Sequence, residues 1–236
     1  MDKYYADLKR VAELAPDDFH AYGSLGWSQT DRRDFTGAEA TLKGALELKP
    51  SASCVHGWLT WIYTQLHRYD DALASAKRYA EGAPNEAGAH QALAGAPLNL
   101  NQPKDADAEL TKAVSLGPKS RSAYYDQAIV KAITGDFAGA RDLLERSKAT
   151  EVQSTDALER TTNAAWVLLA EGKQAEAFAL LDATEKDADE HRAPWPAMRA
   201  LARAWTLWTL GKTAESIKAA DAALGRCDSR PESSEL

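Results

Sequence analysis

Residues 19–50 read FHAYGSLGWSQTDRRDFTGAEATLKGALELKP, and their pattern decides the architecture of the whole chain. Apolar residues recur at helical spacing on both sides of the polar break Asp31-Arg32-Arg33-Asp34. This predicts two helices, 19–30 and 35–49, joined by a tight turn with Asp34 as N-cap, and Pro50 stops the second. Outward from here, Pro16, Pro50, Pro84 and Pro118 lie 34 residues apart three times running, which is a repeat period. In the same register Ala38, Ala72, Ala106 and Ala140 form one column, and Gly26, Thr60, Ala94 and Ala128 another. Small residues at a fixed phase mean that two helices approach closely there in every unit, so each unit reads as a helical hairpin. Further turns are expected at Leu66 to Asp70 and at Thr134 to Asp136, where Gly135 can take the left-handed conformation that ends a helix.

A 34-residue helix-turn-helix unit of this kind resembles the tetratricopeptide repeat. Tyr22, Leu25, Gly26, Phe35, Ala38, Leu42, Ala45 and Pro50 carry the resemblance in the first repeat. Leu59, Tyr63, Tyr69, Ala72 and Pro84 carry it in the second, and Tyr124, Ala128, Gly135, Phe137, Ala140 and Leu144 in the fourth. The resemblance implies an all-α fold, a right-handed α-solenoid or superhelix of stacked hairpins. The expected division is an N-terminal helix or half repeat at 1–18, repeats at 19–52, 53–86, 87–120, 121–154, 158–191 and 197–230, and a polar tail at 231–236.

Several segments depart from the period. In the half repeat, Tyr4, Leu8 and Val11 lie along one face. Pro97 falls inside the first helix of the third repeat, where a proline removes the bond to the Leu93 carbonyl. Two readings stand side by side: the helix ends at Ala96 with Leu98 to Gln102 as loop, or a bend there opens the array. The fifth repeat follows an insertion around Thr155 to Ala157, and the sixth follows Arg192 to Pro196. Gly225 to Glu232 reads as coil rather than as a capping helix, which implies a longer parent protein or an end covered by a partner.

The composition excludes several functions. Lys plus Arg total 28 against 35 acids, a net charge of −7, which repels nucleic acid and anionic membrane surfaces. No apolar run is long enough to span a bilayer, so no direct membrane insertion is expected. The compartment stays open: cytoplasmic by default, or periplasmic if a leader or anchor was removed. The two cysteines, Cys54 and Cys227, make neither a disulfide framework nor a metal motif. Gly211-Lys212-Thr213 imitates the end of a phosphate loop, but Thr206 stands where its first glycine belongs, so the segment reads as an interhelical turn. His56 and His90 share a column, as do His20 and Cys54, and without a completing carboxylate they read as packing residues. No enzyme, cofactor or metal is expected.

What stands out is seven tryptophans against four phenylalanines. The resemblance implies that first helices line a concave groove for a partner's extended peptide or helix. The positions carried over are Gly23 and Trp27 in the first repeat, Gly57, Trp58 and Trp61 in the second, and Gln91 in the third. Tyr125 follows in the fourth, Asn163 and Trp166 in the fifth, and Trp205 and Trp208 in the sixth. Trp27, Trp61, Trp166 and Trp205 share a column, while Trp58 and Trp208 can instead be packing fillers. The glycines leave room for a ligand backbone. Some members of the family that the chain resembles clamp a terminal carboxylate between lysine, arginine and asparagine side chains; the corresponding places here hold Gly23, Trp27, Trp58, Gly88 and Ala92, which favours an apolar or aromatic peptide, with Asp31, Asp126 and Glu159 attracting basic residues. Self-assembly into a homo-oligomer is the first alternative. The second is glycan binding in a polysaccharide export or envelope system, with indoles stacked on sugar faces.

Overall fold

The computed structural model describes residues 2–99, 102–151, 154–190, 203–204, 207 and 211–228. Among them the chain forms α1 (Asp2–Leu14), α2 (Phe19–Asp31), α3 (Phe35–Leu48), α4 (Ser53–Gln65), α5 (Tyr69–Gly82) and α6 (Ala87–Asn99). These are followed by α7 (Pro103–Leu116), α8 (Arg121–Ile133), α9 (Phe137–Ser147), α10 (Ser154–Ala170), α11 (Gln174–Glu190) and α12 (Thr213–Asp228). No strand occurs among the described residues. α2 packs on α3, α4 on α5, α6 on α7 and α10 on α11, and within residues 1–123 successive hairpins join through α3 with α4 and α5 with α6. This is the connectivity of an all-α helical-repeat solenoid. The chain divides into two compact units, Met1–Ala123 and Tyr124–Leu236.

The small columns explain the hairpins. Ala38, Ala72, Ala106 and Ala140 have no exposed surface. A Cβ added to Gly26 would lie 2.7 Å from Leu42 Cγ and Cδ2, so α2 and α3 approach more closely than alanine permits. Around this contact unit 1 builds a core of Leu42, Ala45, Val55, Leu59, Ile62 and Tyr63, and unit 2 holds a smaller one of Ala165, Ala177 and Leu181. Two of the second helices, α3 and α9, start on side-chain caps: Asp34 accepts from the Gly37 N–H at 3.0 Å, and three periods on Asp136 accepts from the Gly139 N–H at 2.9 Å.

Each described hairpin turn needs one left-handed residue. Gly135, Gly172 and Gly211 supply it at φ of 86°, 83° and 72°, the last making Gly211-Lys212-Thr213 the turn into α12. At the matching place in the first two repeats stand Arg33 at 59° and His67 at 56°. A side chain there costs about 1 kcal/mol. Arg33→Gly and His67→Gly are each expected to raise the unfolding free energy by about 0.5–1 kcal/mol, read from urea melts.

Several sequence expectations need correction. α6 continues through Pro97 to Asn99 instead of ending at Ala96. Pro97 stands in the last turn, where only one intrahelical bond is lost, and packing on α7 holds the helix in place. The expected insertion at Thr155 to Ala157 is helical, an added turn at the start of the 17-residue α10. Gly225 to Asp228 belong to α12 rather than to coil, because one interior glycine costs only about 1 kcal/mol; residues 229–236 lie outside the described residues. In α1 the buried residue is Ala12, with Tyr5 and Leu8 half-buried, whereas Tyr4 and Val11 are exposed.

The histidine column has a structural role that its spacing does not reveal. His90 Nε2 donates to the Pro84 carbonyl at 2.9 Å, and its Nδ1 lies 2.7 Å from Glu109 Oε2, so a carboxylate does face this ring. One period earlier His56 bonds the backbone of Pro50. Proline has only a carbonyl to offer, so the ring donates, and the other ring nitrogen, Nδ1, is buried without a partner. Ser75 stands at the place that Glu109 occupies in the next repeat. Burial, reinforced by Arg78, holds the His56 ring below the usual histidine range. Burial alone would raise Glu39 and Glu109, but Lys43 and Arg68 around the first, and Lys112 and His90 around the second, bring both below the usual carboxylate value.

All three folded-state values lie below the unfolded ones, so their contribution is complete at neutral pH and is lost as pH falls. Stability is expected to decline first below about 6.5 through His56 and again below about 4.5 through the two glutamates. The check is the urea midpoint measured across acid pH: His56→Gln flattens the upper limb, and an unchanged profile would count against this role.

Candidate functional site

The site is built on α2 and α4, the first helices of two adjacent hairpins, which touch directly. Trp27 and Trp61 stand one period apart, and each presents an indole that the packing columns do not require. They are 43% and 41% exposed. Their ring centroids are 6.0 Å apart at an interplanar angle of 55°. Trp58, half-buried, lies 6.3 Å from Trp27 at 36°, and Phe35 backs Trp61 edge-on at 5.7 Å. The result is a contiguous aromatic surface, tilted rather than stacked, with its base in the core and two indoles facing out. One helical turn beyond each exposed indole lies an exposed polar residue, Asp31 after Trp27 and Gln65 after Trp61.

The glycines do something other than expected. A Cβ on Gly23 would lie 2.8 Å from the Trp58 ring, and a Cβ on Gly57 would lie 2.8 Å from the Tyr79 ring. The space beside these glycines is already filled from neighbouring helices, and no ligand backbone can enter it. Trp58 thus interlocks α4 with α2, while Tyr79, its hydroxyl bonded to Glu86 and pushed up to about 12 by burial and that carboxylate, interlocks α5 with α4. Gly95, by contrast, faces open space.

The other expected groove residues are placed as follows. Gln91 Nε2 donates to Ser122 Oγ at 3.1 Å and its Oε1 accepts from Ser120 Oγ at 3.3 Å, so its amide ties the third hairpin to the chain that follows it. Tyr125, expected on the groove, is 4% exposed and so is buried rather than open to a ligand. Asn163 Nδ2 donates to the Glu159 carbonyl at 2.9 Å on its own helix, and Trp166, also in unit 2, is half-buried. Trp205 and Trp208 lie outside the described residues. The structure therefore brings together Trp27, Trp58 and Trp61 from the expected set, and adds Phe35, one of the residues that carry the repeat resemblance. Among the described residues no group of three or more His, Cys, Asp or Glu side chains could hold a metal ion, and no helix is long and apolar enough to cross a membrane.

Comparison with known proteins places this architecture. Residues 29–96 match one tetratricopeptide repeat family model and residues 92–152 match a second, together more than half of the chain. No curated protein matches significantly. Among solved structures the chain is similar to pilF of Pseudomonas aeruginosa, with a TM-score of 0.65 at 13% identity over 78% of this chain and 83% of that one. TTC0263, a thermophilic repeat protein of Thermus thermophilus, superposes with a TM-score of 0.61 at 20% identity over 73% and 92%. YrrB, described as a tetratricopeptide repeat protein with an unusual peptide-binding site, gives 0.57 at 19% over 82% and 96%. At these identities the likeness is one of fold, and it agrees with the family models and with the 34-residue period: this chain belongs to the tetratricopeptide repeat family.

Proposed function

We propose that the chain is a non-catalytic scaffold that holds a segment of a partner protein, an extended apolar or aromatic peptide or a helix, on the indoles of unit 1. Family membership supports a protein–protein interaction scaffold, and members are typically non-catalytic. The observation that carries the finer reading is that Trp27 and Trp61 keep 43% and 41% of their surface in solvent while touching each other. Large apolar side chains exposed as neighbours, rather than singly, mark interaction surfaces, and tryptophan is the residue most enriched at binding hot spots. The peptide-binding site named for YrrB, a chain of the same fold, gives the reading a precedent.

A photoreactive benzoylphenylalanine at Gln65, one turn from Trp61, is expected to cross-link a protein in native extract. The same group at Ala74, on α5, should give no such product. Equal yields at both positions, or none at Gln65, would contradict the reading.

Self-association is a second reading, favoured by one specific observation. Tyr4, Val11 and Leu14 on α1 are 63%, 46% and 68% exposed, an apolar strip on one helix. Sedimentation velocity at rising concentration decides: a strict monomer rules it out, and a dimer abolished by Val11→Glu supports it.

A further inference from the structure

Among the described residues Lys9 and Arg32 lie over the Tyr5 ring, Lys49 over Phe19, Arg68 over Tyr63, Arg146 over Tyr124 and Arg203 over Phe178. None of these six lies over an indole, although tryptophan has the strongest ring quadrupole of the three aromatic types. Trp27 and Trp61 are thus exposed indoles over which no described cation of unit 1 lies.

Asp31 adds a second, independent oddity. It is the last residue of α2, where a carboxylate opposes the negative end of the helix dipole. It is exposed, and no described cation pairs with it. The neighbouring charges are engaged elsewhere or lie off the helix. Arg32 is turned to the Tyr5 ring at 4.6 Å, Asp34 caps α3, and Arg33 stands in the turn. Asp31 thus stands at the end of its helix that disfavours a carboxylate, four residues from Trp27 on the same helical face.

We propose that the segment held on Trp27 and Trp61 carries cationic side chains, arginine in preference to lysine, whose charge Asp31 balances. Arginine fits better because its planar, weakly hydrated guanidinium stacks on an indole while still donating to a carboxylate. The net charge of −7 draws such a segment in from a distance. This proposal rests on the reading of the indole surface as a protein-binding site and narrows the partner's chemistry.

The test is a displayed library of random peptides selected on the full chain and counter-selected on the Trp27→Ala/Trp61→Ala variant. Binders that depend on the indoles are expected to be enriched in arginine and lysine. Their affinity should fall about three- to fivefold in Asp31→Asn and fall further with added salt. The same substitution should raise Tm slightly, so loss of binding cannot be ascribed to unfolding. Indole-dependent binders that are neutral or acidic, with affinities indifferent to Asp31→Asn, would overturn this proposal and leave the binding surface standing. Absence of any indole-dependent binder would overturn both.

Discussion

Replacing Trp27 and Trp61 together by alanine is expected to leave the helices formed and to weaken binding of the partner segment by at least about 100-fold. The two indoles contribute least where the fold needs support, since each leaves about two-fifths of its surface in water and the hairpins close through Ala38, Ala72, Gly26 and Leu42. Truncating them removes the aromatic surface while those columns persist. Trp58→Ala should behave differently. Its ring fills the space over Gly23, so its loss leaves a void between α4 and α2 and lowers stability as well as binding. Far-ultraviolet circular dichroism with binding isotherms for the three variants separates the cases. Intact binding by the Trp27/Trp61 double variant would contradict the reading.

The largest effect on stability is expected from Leu42→Ala, a loss of about 3 kcal/mol. Leu42 has no exposed surface, and its branched end rests where Gly26 lacks a side chain, so no other group can move in to close the cavity. In a repeat array each hairpin is stabilised by itself and by its neighbours, so the loss should be local before it is global. Hydrogen exchange should show the amides of α2 and α3 losing protection ahead of those of α9. Leu46→Ala on the same helix, removing a side chain that is only half-buried, serves as the milder comparison.

The fold was legible because its determinants repeat. A proline every 34 residues and small residues in two columns recur at one phase, and the columns proved to be real contacts in buried alanines and the Gly26–Leu42 approach; the expected Asp34 cap is built as well. The site was legible only in part, and for one reason. A column position says which way a residue points from its helix, but the neighbouring helix decides whether that direction is open. Gly23, Gly57, Gln91 and Tyr125 share a column, yet the first is covered by Trp58, the second by Tyr79, the third is bonded to Ser120 and Ser122, and the fourth is buried. Within unit 1 that column packs one helix to the next. The signal that could have shown it is the complementarity of sizes, glycine where a large ring arrives from a neighbouring helix.

The histidines illustrate the same limit from the polar side. In the sequence His56 and His90 read as bulky fillers, whereas both rings tie the start of a repeat to the proline that ends the previous one. Nothing in the spacing of histidine and proline implies that bond, because it depends on how the chain turns between helices. Pro97 likewise is disruptive as a residue type and is tolerated by its place in the last turn of α6.

Whether a partner covers the paired indoles of unit 1 is read directly by fluorine NMR. The chain would carry 5-fluorotryptophan, assigned by single substitutions and titrated with an indole-dependent peptide from the library selection. The Trp27 and Trp61 resonances are expected to shift and to lose their solvent isotope effect as the peptide saturates, while Trp166 stays unchanged. Saturation that leaves Trp27 and Trp61 unmoved, or that moves only Trp166, would contradict the proposed binding surface.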